Sequence, residues 1–444
     1  KNPQTNHHVN THADLSLEMG KTSEQKTNSN ELFSSAREGI SHKHPRGAFL
    51  ENKVVQVLGE QKPLWSRFLD GSKLSKWNWS MNEMARYGHL SALKWLNANR
   101  SNEGCSEKAM DMAAEHGHLS VVEWLGANRS EGCTSHAMDW AAKGGHLPLL
   151  EWLHVNRFEG CTNWALDLAA KSGHLSVVKW LHGNRTEGCS KLAMDWAAEH
   201  GHLSVLEWLH TNRAEGCTKQ ALDMAAKGGY LSVVEWLHLN RTEGCTKMAM
   251  DNAAASGHLS VLEWLHANRA EGCTDQDQAM DNAAKGGHLP VVEWLHTNYY
   301  LRYRGLLAID WAAIGGHLSV VEWLHANRTE GCTERAMDKA AENGHLAVVE
   351  WLHVNRSEGC EDPLDKAAKN GHLNVVEWLH ANRFEGCGGL YAIDKAAENG
   401  HLAVVEWLHV NRSEGCEDPL DKAAKNGHLN VVVWWSGCIP TGMV

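Results

Sequence analysis

The sequence predicts an all-α solenoid of about thirteen stacked helix–turn–helix units. Three observations carry that prediction. The triplet Gly-His-Leu returns every 27 to 30 residues from Gly88 to Gly427, with Gly229-Tyr230-Leu231 as its one variant. Each period holds two helix-length apolar patterns separated by glycine. No stretch of the array alternates apolar and polar residues as a half-buried strand would. Two short helices cannot bury their apolar sides alone, so successive units must stack.

The elements follow in chain order. Residues 1–46 are rich in Asn, Thr, Ser, Lys and His without periodicity, and are expected to be disordered. Residues 47–75 carry Phe49, Leu50, Val54, Val55, Leu64, Trp65 and Phe68, and Gly59 lies one period before Gly88. They read as a degenerate capping repeat, which the end of a solenoid requires. The array proper spans 76–435. In the unit that begins at Thr134, the threonine follows Gly132-Cys133 and is a good N-cap, because its hydroxyl accepts an orphan backbone N–H. Ala137, Met138, Ala141 and Ala142 share one face of the first helix. Gly144-Gly145 ends it, since glycine takes the left-handed position cheaply. The second helix starts near Leu147, with Pro148 in its first turn, where a missing N–H costs nothing. Leu149, Leu150, Trp152 and Leu153 form its apolar side, Glu151 faces water, and 156–161 is the loop to the next unit. Residues 338–376 and 394–432 are identical, a two-unit tandem copy. The tail, 436–444, breaks the pattern, and a frame-shifted repeat in the underlying nucleotide sequence would explain it.

Composition excludes several classes. Lys plus Arg number 42 against 54 Asp plus Glu, a net charge of −12, which disfavours a nucleic-acid partner because phosphates require a basic face. With 8 Pro and 40 Gly among 444 residues, collagen and Pro-rich classes are out. No apolar run reaches the ~18 residues of a membrane span, and the N-terminal stretch lacks the roughly 7–15-residue apolar core of a secretory signal. The chain begins at Lys1 rather than Met, so a missing upstream segment is conceivable.

These repeats resemble the ankyrin family. Ala137-Met138-Asp139-Trp140-Ala141-Ala142 sits on the family's Thr-Pro-Leu-His-x-Ala-Ala, Gly-His matches directly, and Val121-Val122-Glu123-Trp124-Leu125 sits on its second-helix core. Asp362-Pro363-Leu364-Asp365 and Asp418-Pro419-Leu420-Asp421 come closer still. The resemblance covers about four-fifths of the chain. Two departures stand out. The unit is ~28 residues rather than the family's 33, so the projecting hairpin finger is expected to be short or absent. The family's His before x-Ala-Ala is here Asp (Asp111, Asp139, Asp167), expected to accept hydrogen bonds locally, from loop N–H groups. The resemblance implies protein–protein binding on an extended concave surface, without a catalytic centre.

Several columns invite chemistry and are weighed against plainer roles. Gly-Cys recurs in the loops, but stacked equivalents ~10 Å apart cannot form disulfides, and no Cys-x-x-Cys is present for zinc. The cysteines read as small buried apolar residues, and so many free thiols favour a reducing compartment, intracellular in cytosol or nucleus. His146 and His154 are too far apart along a helix to share an ion, so no metal or cofactor is expected. The Gly-His histidines read as turn hydrogen bonding, and those of Trp-Leu-His as partly exposed surface. The Trp column from Trp124 to Trp407 reads as inter-helix core, with a base-stacking platform as the weaker option. Arg157, Glu159 and their equivalents form an edge ladder expected to serve solubility more than stability.

The x of Asp-x-Ala-Ala is the informative column. It reads Met112, Trp140, Leu168, Trp196, Met224, then Asn252, Asn282, Trp311, then Lys339, Lys366, Lys395 and Lys422. By resemblance it lines the concave face, and a core position would stay apolar throughout. It is therefore the expected partner-binding column, with aromatic and Met anchors followed by lysines for acidic groups; a permissive surface column is the alternative. Tyr299, Tyr300 and Tyr303, with Arg302 and Arg304, replace the usual loop and form a second candidate patch, against drift in a tolerant loop. The reading is a non-enzymatic scaffold for a protein partner, with no nucleic acid or membrane. The alternatives are a structural array that self-associates end to end through a poorly capped C-terminus, and a recently amplified repeat product with little specific function.

Overall fold

The computed structural model describes residues 80–99, 104–274, 276–299, 307–329, 331–357, 360–382, 389, 391–412 and 418–438. The expected disordered segment (1–46), the capping repeat (47–75), most of the tail, Tyr300 and Tyr303 lie outside them. By chain contacts the described residues belong to one compact unit. Among the described residues it contains 26 helices and no strand. They run in pairs, from Met81–Arg86 with Leu90–Asn99, through His136–Lys143 with Leu147–Asn156, to Pro419–Lys425 with Leu429–Cys438. The pairs are numbered here as units 1 to 13, from Gly88 to Gly427. The last helix extends into the first residues of the expected tail.

The local structure follows the signals in the sequence. In unit 3 the hydroxyl of Thr134 accepts from the N–H of His136 at 3.2 Å and opens the first helix. Gly145 closes it at φ +74°, with its N–H donating to Ala142 and the N–H of His146 to Ala141, the double bond of a Schellman turn. A side chain at Gly145 would be strained twice, because its Cβ would also lie 2.7 Å from the ring of His174 in the next unit. The second helix ends where the Nδ2 of Asn156 donates to the carbonyl of Trp152 at 2.8 Å.

Two layers result. First helices pack closely on first helices of the adjoining units, while second helices touch one another sparsely. The first helices thus form the inner, tighter layer. Ala137, Met138, Ala141, Ala142, Leu149, Leu150 and Leu153 of unit 3 are all buried, as are their described equivalents in units 2 to 12, while the end units cover theirs only in part. Each large side chain so buried contributes roughly 1.5–3 kcal/mol, which makes one continuous core the main source of cohesion.

Polar side chains then join each unit to the next. Asp139 is buried, and its two carboxylate oxygens accept from the backbone N–H and the hydroxyl of Thr162, both at 2.8 Å. The same clasp joins Asp111 to Thr134, Asp167 to Ser190, Asp195 to Thr218, Asp223 to Thr246 and Asp310 to Thr333. The acceptor role expected of Asp is present, and its donor is the capping residue of the following unit. That residue therefore holds its own helix and the joint together. Burial pushes the carboxyls of Asp111, Asp139, Asp167 and Asp195 above their ordinary range, against the pull of these hydrogen bonds.

Three columns act across units rather than within them. The Gly-His imidazole does not merely brace its own turn: Nε2 of His146 meets the carbonyl of Glu115 in the preceding unit at 3.2 Å, and Nε2 of His345 meets that of Ile314 at 3.1 Å. The tryptophans stand at the edge of the core, half-buried, and those from Trp180 to Trp407 are each met edge-on by a histidine of the preceding unit, as in His154–Trp180 with ring centres 5.4 Å apart. The Arg–Glu ladder is less exposed than its sequence suggests. Arg185 pairs with Glu187 in its own loop and reaches back to Nδ1 of His154 at 3.4 Å. The Arg241 guanidinium holds the Glu243 carboxyl down at about 2. These loops knit units together as well as solubilising them.

Candidate partner-binding face

The inner face is built from residues that the first helices turn away from the core. On a helix, positions three or four apart share a side, so the x residue of each unit is flanked by the residues four before and three after it. Every described member of the x column is half-buried: Met112, Trp140, Leu168, Trp196, Met224, Asn252, Asn282, Trp311, Lys339, Lys366, Lys395 and Lys422. The array places them in one row, one per unit, on the inner layer.

Units 3 to 5 gather aromatic side chains there. Trp140 lies against His136 with ring centres 4.9 Å apart. Trp196 lies 5.9 Å from Trp164, the residue four before Leu168, and Trp164 is 52 % exposed. Sequence reasoning overlooked Trp164. The signal was the neighbouring column, which reads Lys108, His136, Trp164, Leu192, Gln220, Met248 and varies as the x column does. Met248, in unit 7, is 48 % exposed at the same position. The column three after x supplies cations. Lys171 lies 5.0 Å above the Trp196 ring and Lys285 4.8 Å above that of Trp311.

The lysines of units 10 to 13 are differently placed. Nζ of Lys366 is 2.5 Å from a carboxylate oxygen of Asp338, and Nζ of Lys422 is 2.6 Å from one of Asp394. Both aspartates are buried, at 3 % and 0 % exposed. In units 11 and 13, which carry these two lysines, the capping Thr is absent; the corresponding residues are Glu361 and Glu417. Lysine takes over the missing hydroxyl's place on the buried carboxylate, beside the backbone N–H of Glu361 at 3.2 Å. Lys339 and Lys395 pair along their own helices with Glu342 and Glu398. All four lysines therefore have a carboxylate within the chain.

Tyr299 ends the helix Leu289–Tyr299 at the position where other units carry the loop Arg. Its hydroxyl is hydrogen-bonded to Nδ1 of His266 at 2.9 Å, and its ring packs edge-on against His266 and Trp294. It thus fills the joint that Arg185 fills with His154, on the second-helix side rather than the inner face.

No group of three His, Cys, Asp or Glu among the described residues could hold a metal ion. The described cysteines are free thiols, buried or half-buried. Burial pushes Cys133, Cys161 and Cys273 up to about 12, and Cys189, Cys217 and Cys245 up to about 11, so they stay protonated and are poor nucleophiles. No described helix is long and apolar enough to cross a membrane.

Two family models match most of the array. The family described as ankyrin repeats in many copies matches residues 83–125, 138–182, 194–238, 250–296 and 309–353, and ankyrin repeats in three copies match 337–417. Among solved structures, the human ASB11 ankyrin repeat domain is similar at 18% identity and a TM-score of 0.34, over 42% of this chain and 96% of that one. No match was found among curated proteins.

Proposed function

The chain belongs to the ankyrin repeat family, and on that footing we propose that it is a non-enzymatic scaffold binding a protein partner on the face lined by its first helices. One observation carries the reading. On the inner layer of units 3 to 5, Trp140, Trp164 and Trp196 stand only half covered, in a row of first helices whose Ala, Met and Leu side chains on the opposite side are committed to the core. Tryptophan in a partly open site is the residue type that most often anchors a protein interface. Val155, Leu239 and Val354 sit singly at the ends of second helices, where neighbouring units carry Gly, Ala or Thr; Phe158 stands alone in a loop, and Leu429 with Val433 lies on the last helix, at the open end of the array.

The absence of an enzyme role is part of the proposal. It rests on the family and on thiols held protonated by burial. The free thiols also support a reducing, intracellular setting. Affinity capture with the intact chain, repeated with Trp140→Ala and Trp196→Ala, tests the reading. The expected result is a protein retained by the parent chain and lost with the variants while helicity and melting are kept. Equal retention by all three would remove the inner face as the binding surface.

A further inference from the structure

One column of the inner helices is enriched in lysine, although the net charge of the chain is −12. The outer, second helices of units 2 to 8 repeat an acidic residue at one position, exposed at Glu123, Glu151, Glu207, Glu263 and Glu293 and half-buried at Glu235, with Lys179 of unit 4 as the exception among them. The inner column three after x reads Glu115, Lys143, Lys171, Glu199, Lys227, Ala255 and Lys285 across units 2 to 8. Of these, Lys143 pairs with Glu115 at 3.2 Å. Lys171 rests on the Trp196 ring, and no carboxylate lies within ion-pair reach of Lys171, Lys227 or Lys285 among the described residues. The inner face of units 4 to 8 therefore keeps cations available beside aromatic surface, within a chain that is otherwise acidic. By contrast, the x-column lysines of units 10 to 13, Lys339, Lys366, Lys395 and Lys422, are matched by internal carboxylates, and the exposed Lys369 and Lys425 three residues after x stand in units whose x column holds no aromatic side chain.

From this arrangement we infer that the partner of the inner face is an acidic protein segment bearing large apolar side chains. The inference rests on the protein-binding reading above and names the chemistry of its occupant. The apolar side chains seat between Trp140, Trp164 and Trp196, and the carboxylates meet Lys171 and Lys227. Complementary charge fixes the register and speeds encounter, while the aromatic contacts supply most of the affinity. A lysine already seated over a tryptophan ring is held in place for a carboxylate, so little side-chain freedom is lost on binding. A basic segment would meet repulsion at the same positions.

The test is fluorescence anisotropy with the full chain and three labelled probes. One is a short peptide alternating Glu with Leu and Phe, the second is its counterpart with Lys for Glu, and the third is an oligothymidylate. The acidic peptide is expected to bind at least about tenfold more tightly than either of the others, and to weaken as salt is raised. Lys171→Glu with Lys227→Glu should cost the acidic peptide about tenfold and favour the basic one; Lys227 is exposed and Lys171 half-buried, and unchanged helicity shows that the fold is retained. Trp164→Ala, at a half-exposed position, should weaken the acidic peptide without loss of helicity. Equal or tighter binding of the basic peptide or the oligothymidylate overturns the inference, and so does failure of all three probes to bind. Either failure leaves the broader reading standing if the inner-face tryptophan variants still lose the captured protein. If those variants retain it, the broader reading fails as well.

Discussion

Units 3 to 6 and units 10 to 13 share one backbone plan and differ in how their inner-face residues are used. In the earlier units a threonine or serine clasps the buried Asp of the preceding unit, as Thr218 does Asp195, and the x position is left to Trp140, Leu168, Trp196 and Met224. From unit 11 onward that threonine is missing, and Lys366 and Lys422 bend from the x position onto Asp338 and Asp394. The same column is an open surface in one region and a structural joint in the other. Position in a repeat therefore does not fix a residue's role; what the next unit offers its neighbour does.

This contrast predicts a graded set of effects. The largest belongs to the lysine joint. Lys366→Met leaves Asp338 buried without its counter-charge, and should cost about 2–3 kcal/mol in urea unfolding, the lysine being partly open to water. A loss as small as that of Lys339→Met, whose pair lies at the surface and contributes at most about 0.5 kcal/mol, would show that the joint does not exist in solution. The hydroxyl joint comes next. Thr218→Val removes one of two donors to Asp195 and the acceptor for Gln220 N–H, and should cost about 1–2 kcal/mol by the same measurement.

A pH effect spreads over both regions. Burial holds His118, His174, His202, His288, His345 and His401 below the ordinary imidazole value of 6.5. The unfolded chain therefore takes up protons more readily than the folded one. Their contribution is intact above pH 6.5 and is lost as the pH falls through the folded values. Melting temperature should drop between neutral pH and about 5. His174→Tyr, which copies the natural Tyr230 of the equivalent place, should reduce the drop. The smallest effect on stability is expected from Trp164→Ala, below about 0.5 kcal/mol, because half of that side chain is already in water.

Much of this was legible in the sequence because a repeat displays its core as columns that do not change. Ala141, Val177 and Leu153 recur at fixed places and are buried, and the x column announced its difference by varying. Trp164 escaped because only one column of the inner face was read, although a helix shows residues four apart on the same side. The lysine joint escaped for another reason. Lys366 and Asp338 are 28 residues apart, and only the stacked structure brings them together. Its trace was the missing threonine at Glu361, which by itself does not say what replaces it. The Gly-His column was read as local because the triplet is local, whereas its ring rests on the unit before.

Binding is assigned to the aromatic units and not to the lysine units. One direct test measures capture of the protein partner by two variants of the full chain, Trp140→Ala with Trp164→Ala and Lys339→Ala with Lys395→Ala. The tryptophan pair is expected to lose the partner and the lysine pair to keep it, with both chains folded. Loss with the lysine pair and retention with the tryptophan pair would contradict that assignment.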